Sequence, residues 1–181
     1  NDDYFYSMQH TADGGYVLGG NSNSAADGDK SQPAWSLVIP NYWIVKIDSL
    51  GIKQWDKRYG GTNGERYLGN LTQTSDNGYL MSGSSNSNIS GDKSENNFIK
   101  PIANSQIWLV KTDSLGAKQW DKTVFTIYSE GRHCLSLQTN DGCYIIANYI
   151  YSGIGGYKTQ TNWDTLSSTP DFWITKFCDC A

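Results

Sequence analysis

The sequence has no run of lysine and arginine, and its 14 basic residues are outnumbered by 18 acidic ones, for a formal net charge of -4. It therefore lacks the concentrated positive surface that binding to nucleic acid or to an anionic membrane requires. No apolar stretch approaches the roughly 20 residues that span a bilayer. No apolar pattern of helical period runs long enough to make a helical repeat. Histidine occurs only twice. His10 reads as an ordinary strand position, and His133 sits beside Cys134, where neighbouring strand residues point to opposite faces and cannot act as base and nucleophile. The CxxC and Cys/His spacings of a zinc site are missing. No pair of carboxylates recurs where a central pocket would use it, which removes the usual glycosidase arrangement. With neither an initiating Met nor a signal peptide, a processed or trimmed product is the expectation.

What the sequence does have is a duplication. "KIDSLGIKQWDK" occupies residues 46 to 57 and "KTDSLGAKQWDK" residues 111 to 122. The step is 65 residues from Lys46 to Lys111 and again to Lys176, and Trp43, Trp108 and Trp173 keep it. A second anchor agrees: "DGGY", "DNGY" and "DGCY" begin at Asp13, Asp76 and Asp141. A period of this length is the mark of a repeated structural unit, here three units at roughly 1–62, 63–127 and 128–181.

Each unit reads as four strands. "ERYLGNLTQT" alternates bulky with small or polar residues, the period of a pleated strand. "SDNG" then supplies a tight turn, "YLMSGSS" a second strand, a long polar loop follows, and "QIWLVKTD" and "KQWDKTV" flank the turn "DSLG". The third strand is apolar on both faces, with Trp43, Val45 and Ile47 on one and Tyr42 and Ile44 on the other. Strands of that kind belong to sheets covered on both sides. The expected fold is all-β: a β-propeller-type repeat of four-stranded antiparallel blades, in one repeat domain spanning 1–181. A β-solenoid is the runner-up, although its coils are usually shorter. With 38% hydrophobic residues, 19 Gly and 7 Trp, the composition suits aromatic packing between glycine turns. The third unit ends before its outer strand, so the ring is expected to be open or partial. Further blades of a larger polypeptide, a partner at the open sheet edges, or a homodimer completing a ring would answer that.

The run "DGGYVLGGNSNS … GDKS … YWIVKIDSLGIKQWDKRYGG", echoed by "DNGYLMSGSSNSNISGDKSENN", resembles the repeats of secreted and cell-surface β-propeller proteins of Bacteroidota, many of them exported by the type IX secretion system. The resemblance covers nearly the whole chain and implies a fold and an extracellular, cell-surface setting; it carries no catalytic residue. The third unit departs from it, with Cys143 for a Gly, Tyr157 for the Asp of GDKS, and "CDCA" for "DSLG". "DSLG" also resembles the Asp box of sialidase-like propellers, but its spacing differs. The arginine cluster of those enzymes has no counterpart either, since only Arg58, Arg66 and Arg132 are present.

In such a blade the tight turns share one side of the ring, and the loops at 23–41, 86–105 and 152–170 rise from the other. Loops of that length usually have a role. Each carries an aromatic residue, Trp35, Phe98 or Trp163, which either stacks on the apolar face of a sugar or folds back as a plug against its own blade, the plug being favoured. "DGDKS" and "SGDKSE" hold Asp27, Asp29, Asp92 and Glu95, oxygen donors of the kind Ca²⁺ takes, with local turn capping by Asp and Ser the favoured reading. No other cofactor is expected. "DSL" at 48–50 and 113–115 and "DTL" at 164–166 resemble the Bacteroidota O-glycosylation pattern, which would place sugars on Ser49, Ser114 and Thr165. Cys143 opens a second strand where Cys178 and Cys180 close a third, so a bridge from Cys143 to one of them is expected. Lys46, Lys111 and Lys176 are expected to pair with nearby carboxylates or to cover aromatic rings. The expected function is a non-enzymatic extracellular scaffold or adhesion segment mediating protein–protein contact. The alternative is a lectin-like propeller that binds glycans through the loop aromatics.

Overall fold

A computed structural model describes residues 2–98, 105–127, 134–164 and 169–178, and among them there is no helix. The chain runs through β1 (Asp3–His10), β2 (Tyr16–Ser22), β3 (Asn41–Ile47), β4 (Lys53–Tyr59), β5 (Tyr67–Gln73), β6 (Tyr79–Ser85), β7 (Gln106–Thr112), β8 (Lys118–Val124), β9 (Leu135–Gln138), β10 (Tyr144–Ile150) and β11 (Asp171–Phe177). Neighbours in sequence pair antiparallel, giving sheets β1-β2-β3-β4, β5-β6-β7-β8 and β9-β10-β11. Every strand alternates with a turn or loop, so the sheets are built locally and in order.

The turns explain the repeated Asp and Gly residues. In the first, the Asp13 carboxylate accepts from the Thr11 hydroxyl at 2.5 Å and from the Gly15 amide at 3.1 Å. Asp76 does the same with Thr74 and Gly78 at 2.5 and 3.1 Å. Gly14, Asn77 and Gly142 hold positive φ there, which Gly takes freely and Asn tolerates. At the next position the backbone closes tightly: a Cβ on Gly15 would lie 2.3 Å from the Ile47 carbonyl oxygen, and one on Gly78 2.1 Å from that of Thr112. The third unit puts Cys143 at this point and joins it to Cys178 as a disulfide. Of the two partners open to Cys143, Cys178 is thus the one bonded, and Cys180 lies outside the described residues. In the "DSLG" turns, Asp48 and Asp113 accept the amides two and four residues ahead at 2.8–2.9 Å.

The repeated lysines tie these turns together. Lys46 is buried and donates to Asp13, to the Ile47 carbonyl and to Gln54 at 3.0–3.1 Å. Lys111 repeats the set with Asp76, Thr112 and Gln119 at 2.7–2.9 Å. Lys176 pairs with Asp141 at 2.5 Å in a more exposed setting.

Successive sheets pack face to face. Val17, Tyr42, Ile44 and Tyr59 of the first sheet meet Leu68, Leu71, Tyr79, Met81, Trp108 and Val110 of the second. The reverse face of the second sheet, through Leu80, Ile107, Leu109 and Val124, meets Tyr144, Ile146 and Trp173 of the third. Both faces of β6 and β7 are therefore buried along their whole length. Each of these side chains contributes about 1.5–3 kcal/mol by leaving water, which makes the inter-sheet contacts the main source of stability. Strands β1 and β5 touch, as do β5 and β9, so the first strands of the three units lie side by side. The thiol of Cys134 is buried in the second interface.

Candidate functional site

The long loops begin where second strands end. Their "GDKS" segments, repeated at 28–31 and 91–94, have a definite task. Asp56 of β4 accepts at Oδ2 from the Ser31 amide at 2.8 Å and from the Trp43 indole at 3.1 Å, while Lys53 approaches Oδ1 at 3.3 Å. Asp121 of β8 repeats this with the Ser94 amide and the Trp108 indole, both at 2.9 Å, and Lys118 at 2.6 Å. Desolvation opposes ionisation at both sites, yet the amide, indole and ammonium donors hold both carboxyls below their ordinary range. The loop is thereby clipped to the outer strand of its own sheet. Asp56 and Asp121 were visible in the sequence as part of "QWDK", but their role was not; the readable signal was a charged residue recurring mid-strand, where a carboxylate needs a reason to be.

The lysine of each GDKS segment, and Lys158 of the equivalent "GYKT" at 156–159, turns inward. Lys30, Lys93 and Lys158 are all buried. Lys30 donates to the Ser24 carbonyl and Lys158 to that of Ser152, each at 2.9 Å. Lys93 donates to the Thr123 hydroxyl and stands 5.5 Å over the Trp108 ring. Burial pushes its ammonium down to about 8.

Loops also close onto the preceding unit. The Asp92 amide donates to the Gly60 carbonyl at 2.8 Å, and at the equivalent place the Tyr157 amide donates to that of Phe125 at 2.9 Å. Beneath this seam lies Glu65, fully buried, which accepts from the Asn41 amide group, the Gly61 amide and the hydroxyls of Ser85 and Ser87 at 2.8–3.0 Å. Burial pushes its carboxyl up to about 7 against those four donors. Glu65 was not singled out in the sequence: Glu130 stands one repeat step further on, but a Glu at a strand entrance gives no sign by itself that it will be buried.

Against this frame the candidate residues fall into three groups. The four candidate calcium ligands do not gather. Asp27 and Asp29 are exposed, Asp92 is taken up by the Trp35 indole, the Gly60 amide and Arg58, and Glu95 by Lys122 and the Thr123 amide. Among the described residues no three His, Cys, Asp or Glu side chains are arranged to hold a metal ion.

The aromatic residues differ from one another. Trp35 lies under the Arg58 guanidinium, 4.1 Å from its ring centre, and donates its indole N–H to Asp92 of the next unit at 3.2 Å. Phe98 stacks on Phe125 at 4.1 Å between ring centres, and Phe125 meets Tyr157 edge-on at 5.4 Å. Both rings are thus folded against neighbouring segments, although each keeps an exposed side. Trp163 is 95% exposed. Its backbone amide donates to Asp171 at 2.7 Å, and it borders a shallow depression of about 530 Å³ with Ile154, Thr159, Gln160, Thr161 and Asn162.

The glycosylation candidates Ser49 and Ser114 are exposed at the tips of the "DSLG" turns, while Thr165 and the His133 position lie outside the described residues. No helix of the described residues is long and apolar enough to cross a membrane. Compared with family models and with curated proteins, the chain matches none.

Proposed function

We propose that this chain is a β-propeller-type segment of an extracellular, cell-surface protein of the Bacteroidota kind, and that it works as a non-enzymatic scaffold or adhesion module binding protein partners through its long-loop face. The observation that carries the reading is the use made of the polar groups. The repeated acidic and basic residues, Asp13, Asp56, Asp76, Asp121, Lys46, Lys93 and Lys111, are bonded to turns, loops and indoles of the fold itself, and reacting groups of the kind catalysis needs would have to be left over. Face-to-face sheets whose first strands adjoin are the packing expected of blades around a common axis. A disulfide between Cys143 and Cys178 suits an oxidising compartment. Brief protease treatment of intact cells of the source organism tests the setting: a surface protein is clipped while cytoplasmic markers persist, and protection equal to that of those markers refutes it.

A lectin-like activity is the second reading, favoured by one observation, the exposed Trp163 ring beside the amide and hydroxyl groups of Gln160, Thr161 and Asn162. Flat aromatic surface next to hydrogen-bonding groups is what recognition of a sugar ring requires. Binding to a glycan array that is lost in Trp163→Ala, with the melting temperature unchanged, supports this reading. An empty array for the unmodified chain removes it.

A further inference from the structure

The chain contains two Asn-Gly steps, Asn63-Gly64 and Asn77-Gly78. Asparagine is a thermolabile residue, and a following glycine, with no Cβ in the way, lets its own amide nitrogen reach the asparagine side-chain carbonyl carbon. Both steps lie in turns, yet their surroundings are opposite. The Gly78 amide donates to the Asp76 carboxylate at 3.1 Å, and the Asn77 amide donates to the Thr74 carbonyl at 2.9 Å. An amide held by a carboxylate must give up a charge-assisted bond before it can attack, and the negative charge beside it opposes loss of its proton. Asn63-Gly64 has no such restraint. Asn63 is exposed. Among the described residues its side-chain amide has no hydrogen-bond partner, and neither has the Gly64 backbone amide. The step also has no counterpart one repeat on, where Tyr128 and Ser129 stand.

The turn around Asn63 is pinned from several sides. The Thr62 and Asn63 amides donate to the hydroxyls of Ser90 and Ser87, each at 3.1 Å. The Asn86 amide donates to the Gly64 carbonyl at 3.0 Å, and the Glu65 amide to the Pro40 carbonyl at 2.8 Å. Gly64 holds a φ of 86°, with Ile39 standing where a side chain would go. These bonds fix the root of the loop at 86–105 to the turn that opens the second unit.

We infer that Asn63 is a site of self-modification by deamidation. The Gly64 amide nitrogen attacks the Asn63 side-chain carbonyl carbon; the new C–N bond closes a succinimide ring, the old C–N bond breaks, and the amide proton departs with the side-chain nitrogen as ammonia. Water then opens the ring at one of its two carbonyls. One opening leaves aspartate at this position. The other leaves isoaspartate, in which the main chain runs through the former side chain and is one carbon longer. Either product carries a negative charge where none stood. The longer backbone cannot keep the bonds to Ser87, Ser90 and Asn86 in register together, so modification loosens the root of the loop at 86–105. The reaction consumes only water and holds whatever the loop face binds.

Ageing the purified, folded chain in warm, mildly alkaline buffer tests it, with tryptic peptides weighed at intervals. Cleavage after Arg58 and Arg66 isolates Asn63 in 59–66, and cleavage after Arg66 and Lys93 isolates Asn77 in 67–93. The expected result is a mass gain of about 1 Da in 59–66, as two separable products. It should arise at least about tenfold faster than the gain that fragmentation places on Asn77. In urea, where the Asp76 bond is gone, the two steps should convert at similar rates. Amide hydrogen exchange over 86–90 should rise in the aged chain and stay unchanged in aged Asn63→Gln, whose longer side chain disfavours the ring. A folded chain whose 59–66 peptide keeps its mass overturns the inference, and so does conversion of Asn77 as fast as Asn63. Unchanged exchange over 86–90 in the isoaspartate form overturns the loosening of the loop.

Discussion

Replacing Glu65 by Gln should change stability by an amount, and with a sign, that depends on pH. In the fold the carboxylate is fully buried and accepts four hydrogen bonds that join the first and second units. Its folded pKa is raised from 4.5 to about 7 by burial. The folded state therefore holds this proton more tightly than the unfolded state does, and the stability it provides below the unfolded value is lost as pH rises through 7. By linkage the ionised group costs roughly 3 kcal/mol at pH 8 and under about 1 kcal/mol at pH 5. Glutamine keeps the shape: its carbonyl can accept from Asn41 and Gly61, and its amide can donate to the two serine hydroxyls, which accept as well as donate. Relative to the unmodified chain, Glu65→Gln should gain about 2.5 kcal/mol between pH 5 and pH 8, read as the difference between urea unfolding curves at the two pH values. Glu65→Ala, in contrast, orphans the buried Gly61 amide and one Asn41 donor and should destabilise at both pH values by about 1–3 kcal/mol per donor. A Glu65→Gln difference that is the same at pH 5 and pH 8 would refute the assignment of a costly buried charge.

Three further outcomes are expected. Asp121→Ala leaves the buried Trp108 indole and the Ser94 amide without an acceptor, so urea unfolding should show a loss of about 2–5 kcal/mol, whereas a loss confined to a few tenths would mean that the loop clip is ornamental. Cys143→Ser removes a bridge closing 35 residues of sequence, which chain entropy puts at about 4 kcal/mol; the unmodified protein treated with reductant should melt at the same lower temperature as the variant. Lys93, pushed down to about 8 by burial, is protonated more readily in the unfolded chain, so this residue makes stability rise with pH between 8 and 10.5. Lys93→Met should abolish that rise, worth roughly 3 kcal/mol, and an unchanged slope would count against a buried ammonium.

The units and their strands were legible in the sequence because a 65-residue period and turn chemistry are local signals. "DGGY", "DNGY" and "DSLG" state where the backbone must reverse, and the alternating residues between them state which side is apolar. The antiparallel order within each sheet then follows from short connections. What the sequence did not reveal was how polar groups separated by 25 residues or more find each other. Asp56 with Ser31, and Lys46 with Asp13, become neighbours only once the sheet exists, so no window of sequence contains both the group and its partner. The loop aromatics show the same limit. Trp35, Phe98 and Trp163 occupy comparable places before the tryptophan of β3, β7 or β11, yet one lies beneath Arg58, one stacks on Phe125 and one stands in solvent. Arg58 and Phe125 belong to the same units as the rings they meet, but their equivalents in the other unit are Thr123 and Gly60, so the repeat pattern does not specify these partners.

That contrast also indicates where recognition belongs. A residue present in every unit does what every unit needs, and here those needs are internal: the turn aspartates cap turns, one set of lysines braces hairpins, another fills the space beneath the loops, and the strand aspartates hold the loops down. Lys46, Lys93, Lys111, Asp56 and Asp121 have exchanged water for protein partners in buried places, and drawing one of them out toward a ligand would leave its partner unsatisfied, at a cost of about 1–3 kcal/mol each. A ligand that used the repeated residues would have to repay this before gaining any affinity. Where units differ and the side chain makes no internal bond, no such cost arises. Trp163, with its ring in solvent and its backbone amide bonded to Asp171, is the clearest such position. On the glycan-binding reading, Trp163→Ala should abolish binding while leaving the melting temperature unmoved, the reverse of what substitution of Asp121 or Glu65 should do.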